Sequence, residues 1–109
     1  MPSVSATRSP ADPLDFTGKS VIVTGGTRGL GRVIAVTFLD AGADVVVCAR
    51  NAPDPPVTSS DGARSATFVA ADVREPDQVS AVVAAAVEAN GRLDVLVNNA
   101  GGAPPADSA

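Results

Sequence analysis

The residues in this sequence best suited to chemistry form a glycine cluster, Thr24-Gly25-Gly26-Thr27-Arg28-Gly29-Leu30-Gly31. It follows a β-branched run, Ser20-Val21-Ile22-Val23-Thr24, and opens a segment of helical periodicity. A strand that ends in glycines and feeds a helix brings backbone N–H groups and the positive end of the helix dipole to one point, which is a seat for a pyrophosphate. The spacing Gly25, Gly29, Gly31 departs from the commoner G-x-G-x-x-G pattern, and a glycine turn without a ligand is the alternative reading. Gly18-Lys19-Ser20 suggests a nucleoside-triphosphate loop. That motif needs a glycine where Pro13 stands and must follow a strand, whereas this tripeptide leads into one.

The elements that position the cluster can be read outward from it. After strand one (20–24), Leu30, Val33, Ile34, Phe38, Leu39 and Ala41 recur at helical spacing until Gly42, a natural left-handed cap. Asp44 precedes Val45-Val46-Val47-Cys48-Ala49, apolar on both faces as in a strand covered by helices, with Arg50 at its carboxyl end. Residues 51–64 carry Pro53, Pro55, Pro56 and Gly62, so a loop with at most a vestigial helical turn is expected where a crossover helix would otherwise lie. Ala66–Ala70 reads as strand three, closed by Ala71-Asp72. Pro76 starts a helix with the stripe Val79, Val82, Val83, Ala86 and Val87, which Asn90-Gly91 stops. Leu93–Val97 is strand four, ending at Asn98-Asn99-Ala100-Gly101-Gly102. This alternation predicts an α/β fold with a parallel sheet and right-handed crossovers.

Composition narrows the function classes. The 109 residues are 45% hydrophobic, enough for one domain and too apolar for a disordered tail. Twelve acidic against eight basic residues argue against nucleic acid as a partner, which needs a basic face. The chain has no His, Trp or Tyr, so the commonest acid–base side chain is missing. Cys48 is the single cysteine and reads as a small core residue in a reducing compartment. Residues 1–16 are rich in Pro and Ser and are expected to form a flexible arm, not a signal peptide. No stretch has the length of a membrane span, so a cytoplasmic protein without membrane contact is expected.

The sequence resembles the short-chain dehydrogenase/reductase family, whose glycine motif T-G-x-x-x-G-x-G is met by Thr24 to Gly31. An Asp-Val pair after the third strand is matched by Asp72-Val73, and an N-N-A-G motif after the fourth by Asn98 to Gly101. The resemblance implies a Rossmann-like doubly wound parallel sheet, with four strands present in the order 3-2-1-4 and ligands in the crevice at their carboxyl ends. It covers roughly residues 14–102 and assigns 17–102 to the dinucleotide-binding half; residues 103–109, beyond it, read as a loop. It implies that Gly25, Thr27, Arg28, Gly29, Leu30 and Gly31 hold the pyrophosphate, that Asp72 and Val73 meet adenine, and that Asn99, Ala100 and Gly101 lie along the ribose. Turn capping by Asp72 and a structural role for the asparagines are the alternatives.

An acid at the end of strand two would favour a ribose diol, but Ala49 and Arg50 stand there. Arg50, with Arg28 as a second cation, resembles the arrangement of NADP-preferring members, so NADP(H) is expected over NAD(H); solvated surface arginines are the alternative. The family's Ser and Tyr-x-x-x-Lys proton machinery has no counterpart here, since tyrosine is absent and the one lysine, Lys19, precedes strand one. The expectation is the cofactor-binding portion of an oxidoreductase, inactive by itself, whose small-molecule substrate is met only by a complete parent. A free-standing dinucleotide-binding module is the alternative. An open edge at strand four is expected to promote self-association.

Overall fold

The structure is a computed structural model that describes residues 15–99. The elements are β1 (Ser20–Thr24), α1 (Gly29–Asp40), β2 (Asp44–Ala49), β3 (Thr67–Ala70), α2 (Pro76–Asn90) and β4 (Val95–Asn98). The strands are parallel in the order β3-β2-β1-β4, as expected. Register sets Val21 beside Val45 and Val95, and Ile22 beside Val46 and Leu96.

Strand side chains alternate between two cores, as a period of two requires. Val21, Val23, Val45 and Val47 pack with Ala35 and Leu39 of α1 on one face. Ile22, Val46 and Cys48 pack with Val82 and Ala86 of α2 on the other. The central strand β1 is therefore buried along its whole length. Gly42 (φ 97°) and Gly91 (φ 78°) take the left-handed conformation that closes each helix.

The apolar stripe expected on α1 needs correction. Leu30 and Val33 are 68% and 61% exposed, whereas Gly31, Ala35 and Leu39 are buried. These three lie four residues apart, and the missing side chain at Gly31 with the small one at Ala35 lets the helix start close to the sheet, which turns Leu30 and Val33 outward. On α2, Val87 is likewise exposed while Val82 and Ala86 carry the contact. Two strand starts also move. The Ala66 N–H donates to Val57 O at 2.9 Å and is taken by the preceding loop, so β3 begins at Thr67. Asp94 binds Ser20 twice, its N–H donating to Ser20 O (2.9 Å) and its carboxylate accepting the Ser20 N–H (2.8 Å), and β4 follows at Val95.

Residues 51–66 contain no helix; an isolated antiparallel bridge joins Thr58 and Ser65. The segment nevertheless supplies a core residue, because Val57 is 1% exposed and packs on the α1 face of the sheet. Polar ties hold it there: Ser60 donates through its N–H and Oγ to the Asp40 carboxylate, and Arg64 donates to Ala43 O. Val57→Ala is expected to lower unfolding free energy by about 1–3 kcal/mol, the loss for truncating a fully buried valine. Urea denaturation at unchanged slope checks it.

The expected arm falls outside the described residues up to position 14, as does the expected loop at 103–109. Phe16 docks on the fold, its N–H donating to Ala41 O at 2.8 Å and its ring meeting Phe38 edge-on at 5.1 Å. Among the described residues β4 pairs with β1 alone, and Leu96 beside its open edge is 51% exposed. No helix among them is long and apolar enough to cross a membrane.

Candidate dinucleotide site

Because the strands are parallel, Thr24, Ala49, Ala70 and Asn98 all end on the same side of the sheet. A cleft of about 620 Å³ opens there. One wall is Gly25, Thr27 and Arg28; the floor includes Cys48 and Ala49; Arg50 to Asp54 form a second wall, and Ala71 to Arg74 a third. Lys19 precedes β1 and lies at the other end of the sheet.

The glycine loop is built around two left-handed residues, Gly25 (φ 65°) and Gly29 (φ 60°). The Gly25 N–H donates to Cys48 O at 2.9 Å and ties the loop to β2. A Cβ at Gly31 would run into Gly25 O and the Asn99 side-chain amide, so only glycine lets helix and loop meet this closely. Asn99 acts as a strut beneath the turn. Its N–H donates to Thr24 Oγ1 (2.9 Å) and its side-chain amide to Gly25 O (3.3 Å). At the amino end of α1, Arg28 makes no side-chain cap bond and the first turn carries no acid. A loop shaped by glycine and a helix end without a carboxylate fit an incoming phosphate.

Asp72 is fixed by its neighbour. Its carboxylate accepts the Arg74 N–H (3.0 Å) and is forked by the Arg74 guanidinium at 3.0 and 2.8 Å. Those bonds, chiefly from the Arg74 side chain, with Arg50 adding its charge, hold the carboxyl at about 2. The sign follows: the folded value lies below the ordinary value of about 4, so the contribution of this pair is complete above pH 4 and is lost as pH falls from about 4 toward 2. Carboxyl ¹³C NMR is expected to show Asp72 ionised at pH 3, where an unperturbed aspartate is largely protonated. Burial pushes the Cys48 thiol up, against a lowering bond from the Gly25 backbone.

Of the residues singled out in the sequence, Gly25, Thr27, Arg28, Arg50, Asp72 and Val73 line the one cleft. Gly29, Leu30 and Gly31 form the first turn of α1 without lining it. Asn99 supports the loop from below, while Ala100 and Gly101 lie outside the described residues. Arg74 and the segment 51–54 also line the cleft and escaped the sequence reading. The only signal for Arg74 was its position directly after Asp72-Val73. Among the described residues Arg74 is paired with Asp72, whereas no side-chain hydrogen bond or ion pair holds Arg28 or Arg50.

A family model for short chain dehydrogenase matches residues 19–109. The chain is 41% identical over 90 residues to L-fucose dehydrogenase of Oryctolagus cuniculus, covering 83% of this chain and 31% of that protein. Among solved structures it resembles a hydroxysteroid dehydrogenase from Escherichia coli with TM-score 0.73 and 36% identity, over 84% of this chain and 40% of that one. It also resembles RhlG of Pseudomonas aeruginosa, in an NADP active-site complex, with TM-score 0.71 and 36% identity over 84% and 36% of the two chains. The chain spans about a third of the length of the curated relatives it matches. The order of the strands, the glycine turn entering α1 and the family match agree: the chain belongs to the short-chain dehydrogenase family of nicotinamide-dinucleotide oxidoreductases.

Proposed function

We propose that this chain is the NADP(H)-binding portion of a short-chain dehydrogenase/reductase, with residues 17–102 as the binding unit. The main support is that Arg28 and Arg50 line one cleft, with Ala49 at the end of β2 where a ribose-binding carboxylate would otherwise stand. With the Gly25 N–H held by Cys48 O, backbone N–H groups from Gly26 to Gly31 donate to the pyrophosphate, aided by the α1 dipole. The guanidinium groups of Arg50 and Arg28 fork onto the 2′-phosphate. Asp72 and Val73 meet the adenine, and Asn99, Ala100 and Gly101 run along the ribose side.

When bound, the nicotinamide supplies or accepts the hydride exchanged between a carbonyl and an alcohol. This chain's residues hold and orient the dinucleotide. Proton delivery to a substrate oxygen is not among their roles, since tyrosine is absent from the sequence and Lys19 lies away from the cleft. The small-molecule substrate belongs to the complete enzyme. A cytoplasmic location is part of the same reading, supported by the buried free thiol of Cys48. Self-association through the open β4 edge is also part of it, supported by exposed Leu96. Calorimetric titration tests the cofactor preference. NADPH is expected to bind about tenfold or more tightly than NADH, the worth of one charge-assisted bond; equal affinity, or preference for NADH, overturns it.

A further inference from the structure

Arg32 does not line the cleft, yet it joins two of its walls. One Nη donates to Thr27 O at 3.0 Å, and the other donates to Pro55 O at 3.0 Å and Pro56 O at 2.9 Å. Thr27 belongs to the phosphate loop, while Pro55 and Pro56 directly follow Pro53 and Asp54 on the facing wall. The two segments are far apart in sequence and are bridged by this guanidinium. Its planar, divergent donors suit it to bridge carbonyls on opposite sides, which a single ammonium on a flexible stem does not do.

We propose that Arg32 is a positioning residue for the cofactor cleft, a clamp that sets the distance between the phosphate loop and the 53–56 segment before the dinucleotide arrives. The proposal rests on the NADP(H) reading above. Val57 and the ties at Ser60 and Arg64 anchor the chain after Pro56, whereas the Arg32 bonds reach Pro55 and Pro56 themselves. Residues 51–56 form neither helix nor strand, and Pro53, Pro55 and Pro56 have no N–H with which to pair. The carbonyls of Pro55 and Pro56 are therefore held by a side chain, and that side chain projects from the first turns of the helix that the phosphate faces. A wall set in place beforehand removes the ordering that binding would otherwise have to supply.

The test uses the 109-residue chain and the variants Arg32→Met, which keeps the aliphatic stem, and Arg32→Lys, which keeps the charge. NADPH is titrated calorimetrically, thermal midpoints are recorded, and amide hydrogen exchange at Asp54 and Val57 is followed without ligand. Arg32→Met is expected to bind NADPH about tenfold more weakly, with faster exchange at both amides and a midpoint within a few degrees of the parent. Arg32→Lys is expected to fall between the two. Unchanged NADPH affinity in Arg32→Met overturns the clamp while leaving the cofactor reading intact. Loss of the cooperative melt in both variants also overturns it, by making Arg32 a folding residue. If the parent binds no dinucleotide, the cofactor reading fails; unaltered exchange at Asp54 and Val57 in Arg32→Met then rejects the clamp on independent grounds.

Discussion

Gly31→Ala is expected to abolish measurable NADPH binding and to lower the thermal midpoint by roughly 5–15 °C. The reason is contact, not backbone conformation. The added methyl would run into the carbonyl oxygen of Gly25, which is backbone and cannot rotate away, and into the Asn99 side-chain amide. Relief requires α1 to retreat from the loop or the Gly25 turn to open, and either breaks the Asn99 bond to Gly25 O. Overpacking of this kind costs about 1–3 kcal/mol in stability, which for a domain this small is a shift of several degrees. The effect on binding is larger, because the displaced atoms are those that aim the loop N–H groups at one point. Gly29→Asn is the matched comparison. Nothing lies within 4 Å of a Cβ at position 29, and asparagine tolerates its φ of 60°, so its midpoint is expected to stay within a few degrees of the parent. Differential scanning calorimetry of the two variants separates crowding from conformational strain.

Arg50→Glu is expected to reverse the cofactor preference, weakening NADPH about a hundredfold while leaving NADH binding equal or improved. The substitution removes a cation from the end of β2 and places a carboxylate there. A carboxylate accepts hydrogen bonds from a ribose diol and repels a 2′-phosphate, so both parts of the change act in the same direction. One charge-assisted bond is worth about 1.5–3 kcal/mol, or roughly 10- to 150-fold, before repulsion is added. Ionic strength provides an internal check. The parent's affinity for NADPH is expected to fall with salt more steeply than its affinity for NADH, and that difference is expected to shrink in Arg50→Glu. Parallel calorimetric titrations at two salt concentrations read all four quantities. Equal losses for both cofactors would place Arg50 away from the 2′ position.

The fold was largely legible because its signals are local. β1 and β2 each carry an unbroken apolar run, Val21–Val23 and Val45–Ala49, and Gly42 and Gly91 mark the helix ends by a conformation that other residues rarely adopt. The glycine spacing at 25, 29 and 31 announced the turn for the same reason. What escaped depends on contacts distant in sequence. Val57 sits among prolines and serines that read as solvent loop, and only the three-dimensional path carries it under the α1 face. Leu30 and Val33 fit a helical stripe by period, yet the close approach at Gly31 rotates them outward. For Asn99 a structural role was an alternative in the sequence, but its partners, Thr24 Oγ1 and Gly25 O, follow only from β4 lying beside β1. Arg32 and Arg74 are unremarkable as letters; their partners lie in a proline segment and in a carboxylate whose orientation is set by the fold.

A dinucleotide bound as proposed sits in the crevice at the carboxyl ends of the strands. Amide chemical-shift mapping of the ¹⁵N-labelled chain during NADPH titration tests this placement most directly. Saturable shifts are expected to concentrate at Gly25, Thr27, Arg28, Arg50, Asp72 and Val73, with Lys19 and the amino ends of the strands unmoved. Absence of saturable shifts, or shifts centred on the Lys19 end of the sheet, would contradict it.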